Sequence, residues 1–381
     1  MEKKEFKIGL GTTIMLFLLI AIIIVAFTVY MIKVNKDEKI GFKEPITNTN
    51  LEQTEGVSVV PTMQDKISAD SSWCCTFQLV WNDMKNEIVG QDVVFTPQEE
   101  MAENLNKEEF TEDMISDEYY YKKYGIMTLS LKEEIENAIK EKFNQESDIL
   151  DDLNWNEAET ENETSSITNY LFYTMLYRKF EFLYKFDKLE NGDFGEYKNV
   201  EYFGINSSTD NEVGDQIDVL YYNSQDDFAV VLNTKTDDEV IFCKNPDGET
   251  FKQIYDNMNQ KASNYIGDTN FNDMDEFKAP RLDFDIKREY TELEGKLFKT
   301  IDGEAQIGKA LQTIKLSLDE NGGEIKSEAA IVLKESLAAE PAAEEEPRYF
   351  YVDDTFAIFL KEKGKDAPYF AARVDDITKF Q

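Results

Sequence analysis

Residues 170–186 read YLFYTMLYRKFEFLYKF. A run this apolar and aromatic does not sit on a surface, and its residue types suit a strand inside a sheet. The chain beyond it extends the pattern. VEYFGI (200–205), IDVLYY (217–222), FAVVLNT (228–234) and EVIFCK (239–244) are short β-branched or aromatic runs separated by Asn, Asp, Ser and Gly clusters. RLDFDI (281–286) and TIKLSL (313–318) alternate as half-buried strands do. The chain closes on YFYV and then TFAIFLKEKGKDAPYFAARV, two strands about a Lys-Gly-Lys-Asp turn. Ahead of all these, residues 72–89 place Phe77, Val80, Trp81, Met84 and Ile88 on one helical stripe that ends near Gly90. DVVFTP (92–97) then reads as a short strand. Ser130 to Glu133 forms a capping box that opens a helix carrying Leu131, Ile135, Ala138, Ile139 and Phe143 on one face. Helices early and antiparallel strands late predict an α+β fold with a large sheet.

Composition narrows the function. Forty basic and 77 acidic residues give a net charge of −37, which opposes binding to a nucleic-acid backbone, since that needs clustered Lys and Arg. There is no histidine, so Ser-His-Asp and Cys-His catalytic sets and the common zinc ligand sets are excluded. Trp73-Cys74-Cys75-Thr76-Phe77 faintly resembles a thiol-protease nucleophile site, but no His is present to activate the thiol. Cys74 and Cys75 therefore read as two buried small hydrophobes on a helix. Asp151-Asp152, Asp237-Asp238 and 273–276 lack the spaced ligands and central Gly of a calcium loop and read as solvated surface. No cofactor is called for.

Residues 12–32, TTIMLFLLIAIIIVAFTVYMI, are uncharged and close to the roughly 20 residues a helix needs to cross a bilayer. Lysines flank the run on both sides and no small-residue cleavage signature comes after it, which predicts an uncleaved signal anchor. The domain plan is a short tail (1–11), a transmembrane helix (12–32), a polar tether (33–71) and one folded domain (72–381). The folded domain is placed outside the cytoplasm, as in a single-pass membrane protein.

The last part of the chain carries a resemblance. IKLSLDENGGEIKSEAAI (314–331) resembles the strand and hinge that lead into the reactive loop of a serpin, and YVDDTFAIFLKEKGKDAPYFAARV (351–374) resembles the serpin closing hairpin. FKAPRLDFDI, with YTELEGKLF after it, resembles that family's Leu-Pro-Lys-Phe strand and its next helix. FQLVWNDMKNE and DVVFTP resemble the opening helix and the strand carrying Phe-Ser-Pro, with Thr96 in place of Ser. Between Pro97 and Tyr170 the usual small-residue helix is missing and the interval is short. The resemblance implies a serpin-like fold: helices packed on a large, mainly antiparallel sheet with a C-terminal hairpin.

It also implies an inhibitor without catalytic residues. A target protease acylates the loop, and the cut loop enters the sheet as a new strand. The loop-like segment is 322–347, with hinge positions Gly322, Gly323, Glu324, Ile325, Lys326, Ser327, Glu328, Ala329 and Ala330. If Gly323 faces inward, so do Ile325, Ser327, Ala329, Ile331 and Leu333, and Glu324 and Lys326 face solvent. This register puts the cut near Ser336-Leu337; a second, with Ser327 to Ala330 at the hinge, puts it near Glu340-Pro341. The same alternation also describes a strand permanently paired in a sheet. Three readings are open: a membrane-tethered inhibitor of a serine or cysteine protease, a non-inhibitory serpin-fold protein that binds or senses a partner at the cell surface, and an unrelated anchored α+β binding protein.

Overall fold

The computed structural model describes residues 56–164, 168–327 and 347–381. The predicted tail and transmembrane helix, the first part of the tether, and Glu328, Ala329, Ala330, Ser336 and Leu337 lie outside the described residues. Among the described residues no helix is long and apolar enough to cross a membrane.

The strands of the described residues form two large sheets, a smaller one and two short hairpins. One large sheet has the order β1 (Ser58–Val59), β2 (Ser71–Cys74), β20 (Pro368–Val374), β19 (Phe356–Glu362), β11 (Asp238–Lys244), β10 (Asp227–Asn233) and β9 (Ile217–Ser224). The other runs β13 (Leu282–Glu289), β16 (Leu311–Asp319), β17 (Gly322–Ser327), β4 (Tyr170–Glu181) and β3 (Tyr120–Ile126), antiparallel throughout. The smaller sheet is β18 (Tyr349–Tyr351), β12 (Glu276–Pro280), β8 (Tyr202–Ile205) and β5 (Asp187–Lys188). The short hairpins are β6 (Gly192–Phe194) with β7 (Tyr197–Val200) and β14 (Leu297–Lys299) with β15 (Glu304–Gln306).

The strand pattern thus lies close to the sequence reading, with 170–181 as an interior strand. Alternation explains the layers. Phe180, Phe284, Leu316 and Ile325 of the second sheet point inward and share one core with Ile358, Phe370 and Ala372 of the first; the Phe284 and Phe370 rings lie 6.2 Å apart. On the opposite face Tyr173, Met175 and Tyr177 of β4 form a separate core with Leu131, Ile135, Ile139 and Phe143 of helix α3 (Leu129–Phe143) and with Leu150 and Trp155. Trp155 opens helix α4 (Trp155–Thr164). Two further helices precede α3: α1 (Thr76–Asp83), which continues as a π-helical turn to Val89, and the short α2 (Glu100–Leu105). Helix α5 (Phe251–Asn264) buries Phe251, Ile254, Tyr255 and Met258.

Several local expectations are corrected. Residues 72–74 are strand, because Ser72, Trp73 and Cys74 pair with Ala372, Ala371 and Phe370; the helix begins only at Thr76. Cys74 therefore sits in a strand and Cys75 at the helix cap, both buried as expected. DVVFTP is extended but unpaired by any strand: the Asn106 side chain accepts from Val93 N at 3.1 Å and donates to Val93 O at 2.8 Å, taking the place of a ladder. Helix α3 is capped by Thr128, whose hydroxyl accepts from Leu131 N, and not by Ser130. The segment after β13 forms no helix; it turns through Gly295 at φ +72° and enters the β14–β15 hairpin. Residues 58–60, expected in the tether, join the domain: Val59 and Val60 are buried, and β1 pairs with β2.

The β16–β17 connection is a tight turn. Asp319 and Gly322 are register partners, so Glu320-Asn321 makes the turn, and both carbonyls are held, by Phe186 N at 2.9 Å and Phe182 N at 3.0 Å. Gly322 has φ +147°, and a Cβ there would lie 2.2 Å from Phe180 O. Gly322→Ala is expected to cost about 1–3 kcal/mol of stability through backbone strain and this clash. A thermal midpoint equal to the parent's would mean that the turn does not need glycine.

Candidate functional site

The predicted hinge residues Gly322 to Ser327 are together in one element, β17, and that element is seated between β16 and β4. Ile325 lies opposite Leu316 on one side and Arg178 on the other; Ser327 lies opposite Ile314 and Leu176. Both neighbours run on past Ser327. β4 continues back to Tyr170 and β16 back to Leu311, and among the described residues no strand pairs with either of them across that stretch on the side that β17 occupies. Thr174, in that part of β4, is buried with its hydroxyl unpartnered among the described residues.

The inward face agrees with the sequence register: Gly323, Ile325 and Ser327 are buried. Beneath Ser327 lies a compact polar group. The Ser327 hydroxyl is 3.2 Å from the Thr76 hydroxyl and donates to Thr313 O at 3.2 Å. Gln312 donates to Cys74 O at 3.1 Å and to the Thr76 hydroxyl, and accepts from Tyr290 OH at 2.7 Å. Burial alone would push the Cys74 thiol up, but hydrogen bonds from Cys75, Ser327 and Thr76 outweigh it and hold the thiol below its ordinary range. Burial, with Cys74 beside it, pushes the Cys75 thiol well above. These groups anchor the strand end by hydrogen bonds, and among the described residues no carboxylate is bonded to them.

The other face departs from the sequence reading. Alternation predicts Lys326 in solvent; it does lie on the outer face but is buried there, because residues 144–155 cross above it. Its ammonium pairs with Asp148 at 2.5 Å and donates to Glu146 O at 2.8 Å. A buried cation is tolerable only when so paired. Glu324 on the same face accepts from Tyr177 OH at 2.8 Å and meets Lys179 at 3.2 Å.

Two of the acidic clusters expected as solvated surface are also corrected in part. Asp238 is buried against Arg178 of β4, which additionally bonds Glu362 at 2.6 Å. Tyr369 OH donates to Asp238 at 2.9 Å, and the guanidinium stacks 3.9 Å over the Tyr119 ring. The group ties β4 to β11, β19 and β20. The one signal for it in the sequence is a single Arg inside an apolar run. Asp275 is likewise buried and takes both the backbone N–H of Arg348 at 2.9 Å and its guanidinium at 2.7 Å. Arg348 donates further to Asp268 O at 2.8 Å, so the chain just past residue 347 is clamped to the 268–275 loop. No cluster of metal-ligating side chains occurs among the described residues.

No protein-family model matches the chain, and no curated protein does. Solved structures similar to it are serpins. Serpin48 of the insect Tenebrio molitor is 13% identical, covering 81% of this chain and 92% of that one, with a TM-score of 0.42. The cleaved Serpin 42Da is 11% identical over 67% and 74%, with a TM-score of 0.40. Human thyroxine-binding globulin complexed with its hormone is 10% identical over 81% and 91%, with a TM-score of 0.45.

Burial pushes the Glu362 carboxyl up to about 8, against the pull of Arg178. Between its ordinary 4.5 and about 8, the folded chain keeps a proton that the unfolded chain has lost. This contribution to stability is therefore full below about 4.5 and lost as pH rises through about 8. Glu362→Gln should flatten the fall of the denaturation midpoint between pH 5 and 8, whereas Arg178→Met, which strands two buried acids, should cost about 3–5 kcal/mol. Identical midpoint-versus-pH curves for parent and Glu362→Gln would remove Glu362 as the titrating group.

Proposed function

We propose that this chain is a serpin-like protease inhibitor in which β17 is the seated beginning of a reactive loop. The observation that carries the reading is a strand placed between two longer neighbours whose facing edges continue beyond it. Continuing the register after a cut would set Ala329 opposite Thr174 and Gln312, and would extend along β4 to Leu333 opposite Tyr170. Ala329, Ile331 and Leu333 would join Ile325 and Ser327 on the inner face, and none carries a charge. The target is a serine or cysteine protease that accepts small or polar residues near Ser336-Leu337. The apolar run at 12–32 would tether the domain to a membrane, with its bulk outside the cytoplasm. No cofactor has a part in it.

The test is to cut the domain once within residues 330–345 and compare melts. Burying Ile331 and Leu333 at about 1.5–3 kcal/mol each should raise the midpoint by on the order of 10 °C. An unchanged melt excludes insertion, and an adduct with a protease that survives SDS would establish inhibition directly.

A second reading, a non-inhibitory binding protein, is favoured by a cavity of about 110 Å³ bordered by Met63, Trp73, Phe110, Tyr255 and Pro368. The lining is more apolar than polar, so a small apolar ligand would fit there. A flat melt after cutting, together with quenching of Trp73 fluorescence by such a ligand, would move the assignment to this reading.

A further inference from the structure

Two Asn-x-Ser/Thr triplets occur in the chain, Asn162-Glu-Thr and Asn206-Ser-Ser. Such a triplet accepts an N-linked glycan when it lies on a surface loop outside the cytoplasm and its side-chain nitrogen is free. Both triplets satisfy the sequence pattern, but the fold treats the two amides differently. Asn162 lies in the last turn of α4, and its amide closes one end of the five-stranded sheet. Its nitrogen donates to Met127 O at 3.1 Å and its oxygen accepts from Asn169 N at 2.7 Å. Met127 N in turn donates to Asn169 O at 2.7 Å, one step past the last register pair of β3 and β4, Ile126 with Tyr170. The Asn162 side chain thus serves as a rung across the open end of that ladder. Turning it outward to carry a sugar strips a backbone carbonyl and a backbone N–H of their partners, which is costly.

Asn206 follows β8 and opens a loop in which Ser207 and Ser208 are exposed. The bonds that shape this loop leave the amide nitrogen out. Asn206 Oδ1 accepts from Ser208 N at 2.9 Å and from the Ser208 hydroxyl at 2.6 Å. The backbone N–H of Asn206 donates to the Thr209 hydroxyl at 3.0 Å, and that hydroxyl donates to Asp187 of β5 at 2.7 Å. Asn206 Nδ2 makes no hydrogen bond among the described residues. The loop therefore keeps its bonds whether or not that nitrogen is substituted. β8 and β5 belong to the smaller sheet, so a bulky group on Asn206 is carried on a different sheet from the strands that flank β17.

We infer that Asn206 is the attachment site of an N-linked glycan and that Asn162 is not. This rests on the proposed placement of the domain outside the cytoplasm. The donor class is an oligosaccharide carried on a polyprenyl diphosphate and delivered by a membrane-bound oligosaccharyltransferase. Asn206 Nδ2 forms a bond to the anomeric carbon of the first sugar. The bond from that carbon to the diphosphate oxygen breaks, the lipid diphosphate leaves with the electron pair, and one amide proton passes to a base of the transferase.

The test expresses the full chain in cultured mammalian cells and treats the isolated membranes with a peptide N-glycosidase in heavy-oxygen water. Each Asn that carried a glycan becomes a heavy Asp, which mass spectrometry locates. Glu52→Thr supplies the control for placement, because it creates an acceptor triplet at Asn50 in the predicted tether. The heavy label is expected at Asn206 in the parent, at both Asn50 and Asn206 in the control, and at Asn162 in neither. Ser208→Ala should abolish the Asn206 label, and the conservative Ser208→Thr should keep it. A bare Asn206 beside a labelled Asn50 overturns the site and leaves the placement standing. Bare Asn50 and bare Asn206 together overturn both. An Asn162 labelled as fully as Asn206, or an Asn206 label that survives Ser208→Ala, also overturns the assignment. None of these outcomes touches the melt of the cut chain, which tests insertion alone.

Discussion

One guanidinium fixes the distance between the two large sheets. Arg178 belongs to β4, yet its partners Asp238 and Glu362, and the Tyr369 that bonds Asp238, all belong to the facing sheet. A charge removed from water must find a counter-charge and hydrogen-bond acceptors at close range, so β4 cannot slide or rise without breaking several bonds at once. β17 is built against the strand held in this way, with Ile325 directly beside Arg178. β17 is therefore flanked on one side by a strand held from below.

The two faces of β17 are fastened by different chemistry. Below, small neutral groups, the Thr76 and Ser327 hydroxyls and the Gln312 amide, hold the strand end with modest hydrogen bonds. Each contributes about 1 kcal/mol net and can be exchanged for another backbone or side-chain partner. Above, Lys326 and Glu324 are held by charge. Here Lys326 takes its partner from the covering segment, whereas Glu324 takes Tyr177 and Lys179 from β4 of the sheet itself.

Much of this architecture is legible in the sequence because alternation and residue type decide it. Strands such as 217–224 and 356–362 arise directly from apolar side chains recurring between polar turns. The local pattern fails where a side chain or a distant element overrides it. The Asn106 amide stands in for a strand beside Val93, Thr128 outcompetes Ser130 for the first turn of α3, and Gly295 bends a stretch that has helical composition. At the site, alternation assigns the faces of β17 correctly but not its cover. Nothing local marks Asp148 as the partner of Lys326, or Asp238 as the partner of Arg178, because each pair joins residues far apart in the chain. Acidic doublets look like surface until a buried cation is known to be waiting for one member.

The clamp on Arg348 has a consequence of its own. Beyond it the chain supplies β18, β19 and β20, and the last two are interior members of the seven-stranded sheet. Severing the backbone just ahead of the clamp would thus yield two polypeptides that remain one particle, bound by a continuous hydrophobic interior. Such a molecule could register a single proteolytic event and would have no route back, behaving as a one-shot fuse and not as a resettable valve.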